Sequence, residues 1–133
     1  MTFEEASQKG MSFTTLDSIY MSGINANPEL AVFSANQEEY ILAYKQLLSD
    51  LGIYLKEQGF IWDGPTKAFN RIYFNKEGEI DYFLYTFRPG QLSKEAEKKY
   101  RDLLSEFIRD YKFALSAKVG FAQCSPVTYM PQQ

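Results

Sequence analysis

Two runs rich in aromatic and β-branched residues occupy the middle of the chain, and a short polar segment separates them. The runs are 69–74 and 80–87, and the segment 75–78 reads Asn-Lys-Glu-Gly. Such runs favour strands, and a short polar connection ending in glycine favours the turn of a β-hairpin. The hairpin constrains the fold most, because a two-stranded sheet is stable only when its apolar side chains pack against further elements.

A helix is predicted before the hairpin. Asn36 and Glu39 have the spacing of a capping box, which marks a helix start. Gly59 is the natural stop. The apolar residues between them recur at the steps of one amphipathic stripe: Tyr40, Ile41, Tyr44, Leu47, Leu48, Leu51 and Leu55.

A second helix is predicted after the hairpin. The segment 88–90, Arg-Pro-Gly, ends the second strand, and Ser93 can cap the helix that follows. Its apolar stripe consists of Ala96, Tyr100, Leu103, Leu104, Phe107, Ile108 and Tyr111.

The chain closes with a strand predicted over 119–129. It contains Pro126, and a proline inside a sheet belongs at an edge or a bulge. The predicted fold is therefore α+β: a small antiparallel sheet, formed by the hairpin and a C-terminal edge strand, packs against two helices in the order α-β-β-α-β. We expect residues 36–133 to form a single domain and residues 1–35 an irregular N-terminal arm with one helical turn.

Both faces of the second hairpin strand are largely apolar. By the two-residue period, Phe83, Tyr85 and Phe87 share one face, while Tyr82 and its alternates share the other. One face is expected to meet the helices, and the face with Phe83, Tyr85 and Phe87 to meet the arm or a second subunit. We therefore expect a candidate aromatic surface and a homodimer. The surface consists of Tyr82, Phe83, Tyr85 and Phe87.

The composition argues against an enzyme. The 133 residues contain no histidine and one cysteine, Cys124, so the usual general base, a disulfide framework and a cysteine zinc cluster are missing. The acidic residues Glu77, Glu79 and Asp81 are interpreted as a solvated turn rather than a metal site. We expect no catalytic residue, no metal ligand and no cofactor.

Charge and hydropathy limit the classes of partner that the chain is expected to bind. The formal net charge of −3 comes from interspersed acidic and basic residues, so no basic field suits nucleic acid. No run is apolar enough to predict a transmembrane segment. A periplasmic or secreted location is expected if a signal peptide has been removed, and a cytoplasmic one otherwise.

The element order, the hairpin around Phe74–Ile80, the helix after Pro89-Gly90 and the closing strand resemble the C-terminal domain of TonB-type energy transducers over residues 36–130. The resemblance implies a location between two membranes and a final strand that accepts an extended peptide by edge pairing. The chain has no membrane anchor and no proline-rich spacer, so a stand-alone module is expected. The implied partner-binding edge consists of Phe121, Gln123, Ser125, Val127 and Tyr129.

The leading hypothesis is a non-enzymatic module that binds a protein or peptide by edge-strand pairing. The alternative is an α+β cup for a small ligand, or a histidine-free enzyme, in which Asp81 and Tyr85 supply polar groups inside an apolar pocket. A purely structural homodimer ranks third.

Overall fold

The α+β class is confirmed by a computed structural model, which describes residues 1–23, 32–33 and 35–131. Its elements, in chain order, are α1 (Phe3–Gln8), α2 (Phe13–Asp17), β1 (Met21–Ser22), α3 (Gln37–Glu57), β2 (Thr66–Phe74), β3 (Ile80–Phe87), α4 (Lys94–Asp110) and β4 (Phe121–Tyr129). The part predicted as an irregular arm thus contains two short helices and a strand. Thr2 caps α1 and Ser12 caps α2 through their hydroxyls, a local signal that the apolar spacing did not reveal.

The two long helices begin and end close to the predicted signals. Ser93 Oγ accepts a hydrogen bond from the Ala96 amide at 3.1 Å. Asn36 occupies the N-cap of α3, but its side chain forms no capping bond, so the predicted capping box is not formed. Gly59 follows α3 with φ +80°, the left-handed conformation that ends many helices.

The sheet has the strand order β1-β4-β2-β3. β2 is antiparallel to both of its neighbours, whereas β1 runs parallel to β4, so the sheet is mixed rather than purely antiparallel. β1 covers only Phe121 and Ala122 of β4. The closing strand is therefore internal at its start and an edge strand farther along, as far as the described residues extend.

The core fills both faces of the sheet. On the helix side, Phe83 and Tyr85 lie buried beneath α3 and α4 with Ile80 and Phe74. On the arm side, Tyr73, Leu84 and Ala122 pack against α1 and α2. The expectation for the faces of β3 is therefore reversed, because the helices cover Phe83 and Tyr85 while the arm covers the opposite face.

A β-bulge explains one further difference from the simple alternation. Tyr73 pairs with Tyr82 and Phe74 with Ile80, which leaves Asp81 as the extra residue. Ile80 therefore joins the helix-side core with Phe83, instead of sharing the face of Tyr82. Among the described residues, no helix combines the length and apolar character needed to cross a membrane.

Candidate functional site: the open face of the sheet

The N-terminal arm crosses the sheet from one edge to the other. At its start, the Met1 amino group donates to the Phe83 carbonyl at 3.0 Å, and the Tyr85 amide donates to the Met1 carbonyl at 3.1 Å. Leu16 of α2 then packs over the middle of the sheet. At the far edge the Gly23 amide donates to the Ala122 carbonyl at 2.9 Å. The arm thus covers part of each edge of the sheet, which is a common protection against uncontrolled strand pairing.

Polar contacts fasten the arm to the sheet. Asp17 Oδ1 accepts hydrogen bonds from Arg71 Nε at 2.9 Å and from the Tyr73 hydroxyl at 2.7 Å. The Tyr20 hydroxyl donates to Asp81 Oδ2 at 2.7 Å. These contacts lie over the end of the sheet where β1 pairs with β4. Over the opposite end, Phe3 of α1 contacts Phe69, with ring centroids 6.1 Å apart, and the arm covers this end only in part.

We call this partly covered end of the sheet the open face. It is formed by the arm-side residues at the far ends of three strands: Lys67, Phe69, Thr86, Arg88, Pro126 and Thr128. They line a cleft of about 550 Å³ that is open to solvent. Phe69 stands at its centre, between Thr86 of β3 and Pro126 of β4 in register, and its side chain is 41% exposed.

A second cleft of about 460 Å³ adjoins the first and shares Phe69 and Thr86 with it. It extends towards the arm, where Arg71, Asp17 and the half-buried thiol of Cys124 contribute to its walls. Its walls are mainly apolar and carry one ion pair, so contact here is mostly with hydrocarbon surface. The two clefts form one continuous groove across the sheet.

The outer edge of β4 borders the open face. The Gly120 and Ala122 carbonyls accept hydrogen bonds from β1 and Gly23, so the even-numbered residues of β4 direct their backbone groups away from β2. Of these, Pro126 lacks an N–H group, and the Cys124 carbonyl accepts a bond from Gln123 Nε2 at 3.0 Å. Within the described part of the chain, Thr128 is the one even-numbered residue of β4 that presents both an amide and a carbonyl to a strand that would be added here.

The five residues predicted to form the binding edge face elsewhere. Phe121, Gln123, Ser125, Val127 and Tyr129 direct their backbone groups towards β2 and their side chains towards the helices. Gln123 Oε1 accepts a hydrogen bond from the Tyr40 hydroxyl at 2.9 Å, and Ser125 Oγ lies 2.7 Å from the Tyr44 hydroxyl. Their side chains are therefore part of the fold, and the outer edge belongs to their even-numbered neighbours.

The predicted aromatic surface is not a single surface. Phe83 and Tyr85 are almost completely buried on the helix side, and Tyr82 packs under the arm on the other side. Tyr85 lies on the helix side, whereas Asp81 is exposed and accepts a hydrogen bond from Tyr20. The polar pair expected for a ligand-binding cup is therefore not brought together.

A buried group of hydroxyl and amide side chains lies between the sheet and the helices. The Tyr100 and Tyr129 hydroxyls are 2.9 Å apart, and Asn70 is fully buried between Tyr85 and Ser125 in register. Burial raises the pKa of Tyr100 well above its usual value, so its phenol stays protonated at neutral pH. This group is sealed from solvent, which leaves the open face as the accessible candidate site.

The acidic side chains of the hairpin lie apart from any cluster of metal ligands among the described residues. Within residues 1–23, 32–33 and 35–131, no three His, Cys, Asp or Glu side chains lie close enough together to hold a metal ion. Glu79 instead accepts a hydrogen bond from Asn75 Nδ2 at 3.0 Å in the hairpin turn.

Sequence reasoning missed the residues of the open face. The alternation of Lys67, Phe69 and Arg71 placed these side chains on one face, and that signal was readable. Their exposure depends on where the arm crosses the sheet, which no local pattern reveals.

Comparison with known proteins adds no further guide: no family model, no curated protein and no solved structure matches this chain.

Proposed function

We propose that this protein is a non-enzymatic interaction module that binds an extended segment of another protein on the open face. The observation that carries the proposal is Phe69, a large aromatic side chain that is 41% exposed at the centre of a 550 Å³ cleft. Exposed apolar surface rimmed by polar residues is typical of protein-binding sites. Pro126 beside it adds apolar surface, and its rigid ring loses little conformational entropy on binding.

The bound segment would lie alongside β4, but with few backbone hydrogen bonds. The proline at 126 and the side-chain bond to the Cys124 carbonyl leave little of the outer edge available. Side-chain contacts with Phe69 therefore supply most of the affinity, whereas the TonB-like resemblance implied capture mainly through the backbone.

The proposal is tested with peptides selected from a displayed library of random short sequences on the wild-type protein. The substitution Phe69→Ser should weaken the binding of these peptides about tenfold or more, since a central aromatic anchor carries much of the energy of an interface. Affinity is measured by fluorescence anisotropy, and the folding of each variant by circular dichroism.

Ile61→Ser is the matched control. Ile61 is 79% exposed but lies outside both clefts of the groove, so its replacement removes a similar apolar side chain without touching the open face. Peptides that bind the Phe69→Ser variant as tightly as the wild type, or a library that yields no binder, would refute the proposed function.

A further inference from the structure

Two cationic residues, Lys67 and Arg88, lie at one end of the open face. Just beyond the last paired residues of β2 and β3, Ala68 and Phe87, the Lys67 amide donates to Gln91 Oε1 at 2.9 Å. Lys67 is the second residue of β2, and Arg88 follows the end of β3. Both are exposed and line the same cleft. On the other side of Lys67, Thr128 is its partner in β4 and is also exposed. Thr128, Lys67 and Arg88 form the row that we call the cationic row.

The two cations of this row lack an ionic partner within the described part of the protein. Neither Lys67 nor Arg88 forms an ion pair there. Glu4 and Glu97 line the neighbouring cleft with Arg88, but both lie beyond ion-pair distance from it. In a chain with a net charge of −3, an uncompensated cationic pair beside an exposed aromatic residue points to a binding role.

We propose that the cationic row receives the carboxylate of an acidic residue in the protein segment that docks on the open face. The inference rests on the proposed function and deepens it by naming the chemistry of the partner. A carboxylate has two oxygen atoms and can accept bonds from the guanidinium and the ammonium together, while the Thr128 hydroxyl can donate a further one. Such a ligand supplies the ionic partner that Lys67 and Arg88 lack among the described residues.

The spacing between the cationic row and Phe69 also predicts a sequence pattern for the docking segment. Phe69 lies two residues from Lys67 along β2, on the same face. In an extended segment that runs along the strands, side chains two positions apart have a matching separation of roughly 6.6 Å, twice the rise of a strand residue. The preferred segment therefore carries an acidic residue two positions away from an apolar residue.

The probes are matched pairs of synthetic peptides, each with one phenylalanine, that differ only in Glu or Gln two positions from it. The wild-type protein should bind the Glu peptides about fivefold more tightly than the Gln peptides, as expected for two exposed charge pairs. The double variant Lys67→Gln/Arg88→Gln should bind both peptides of a pair equally. The control Lys45→Gln/Lys56→Gln removes the same charge from exposed positions of α3 and should keep the wild-type preference.

The outcomes separate the two proposals. If the Glu and Gln peptides bind the wild type equally and Phe69→Ser weakens both, the proposed function stands and the carboxylate site is refuted. A preference lost equally in the control variant refutes the site as well, because net charge alone would then explain the effect. If no probe binds, or if binding is indifferent to Phe69→Ser, both proposals fall together.

Discussion

Gly23 follows β1 at a point where the backbone passes directly over the ring of Tyr40. Its amide donates to Ala122 and its carbonyl accepts from the Phe33 amide, so the backbone cannot move away without breaking these bonds. A Cβ atom at this position would collide with the hydroxyl and ring of Tyr40. The Tyr40 hydroxyl in turn donates to Gln123, so the ring is held on both sides.

The substitution Gly23→Ala should therefore destabilise the protein by about 1–3 kcal/mol, the usual cost of forcing extra atoms into a packed core. Gly52→Ala is the matched control: Gly52 lies inside α3 with open space around it, and the change should stabilise by about 0.5–1 kcal/mol. Urea unfolding followed by circular dichroism measures both. Equal effects of the two substitutions would contradict the close approach at Gly23.

At the scale of elements, the Asp17 carboxylate is one of the contacts that hold the arm on the sheet. Asp17 at the end of α2 binds both Arg71 and Tyr73 of β2, and the Arg71 side chain is only 14% exposed. Breaking this contact leaves a mostly buried guanidinium without its anion, which costs more than the loss of an exposed surface pair.

Asp17→Asn should lower the free energy of unfolding by about 1–3 kcal/mol and make the arm more susceptible to limited proteolysis. Glu5→Gln removes a second ion pair of the arm, with the more exposed Arg101, and should cost less than about 1 kcal/mol. Arms of the two variants that are cleaved at the same rate would show that Asp17 does not fasten this segment.

The elements also show how much of the fold could be predicted from the sequence. The helix α4, the hairpin and the closing strand have signals in neighbouring residues: the Ser93 cap, the turn glycine Gly78 and the proline Pro126. From Tyr82 onwards the alternation in β3 showed which side chains share a face, but it did not reveal the bulge that moves Ile80 to the face of Phe83. It could not show which face meets the helices, because both faces are equally apolar.

At the scale of the whole molecule, many of the ten tyrosines contribute to the core rather than to a surface. Burial raises the pKa of Tyr44 to about 12 and raises the pKa of Tyr40, Tyr100 and Tyr129 as well. A pKa that is higher in the folded than in the unfolded state contributes stability that is complete below the unfolded pKa. That contribution is lost as the pH rises through the folded pKa.

The free energy of unfolding should therefore show no tyrosine-linked loss up to about pH 10, the ordinary pKa of tyrosine, and fall above it. Each buried tyrosine adds up to about 1.4 kcal/mol per pH unit to the slope. Urea unfolding at a series of alkaline pH values measures this slope, and Tyr44→Phe should reduce it between pH 10 and 12. A slope unchanged by Tyr44→Phe would show that this phenol ionises equally readily in both states.

The α+β class, the two long helices, the hairpin and the closing strand could be predicted from local signals, because these signals lie within one or two turns or strand repeats. The path of the arm, the parallel pairing of β1 with β4 and the exposure of Phe69 could not be predicted in this way. These features depend on contacts between distant parts of the chain, such as Tyr20 with Asp81, 61 residues apart. Such contacts depend on which of several possible packings buries the most apolar surface. Local periodicity contains no information on which packing that is.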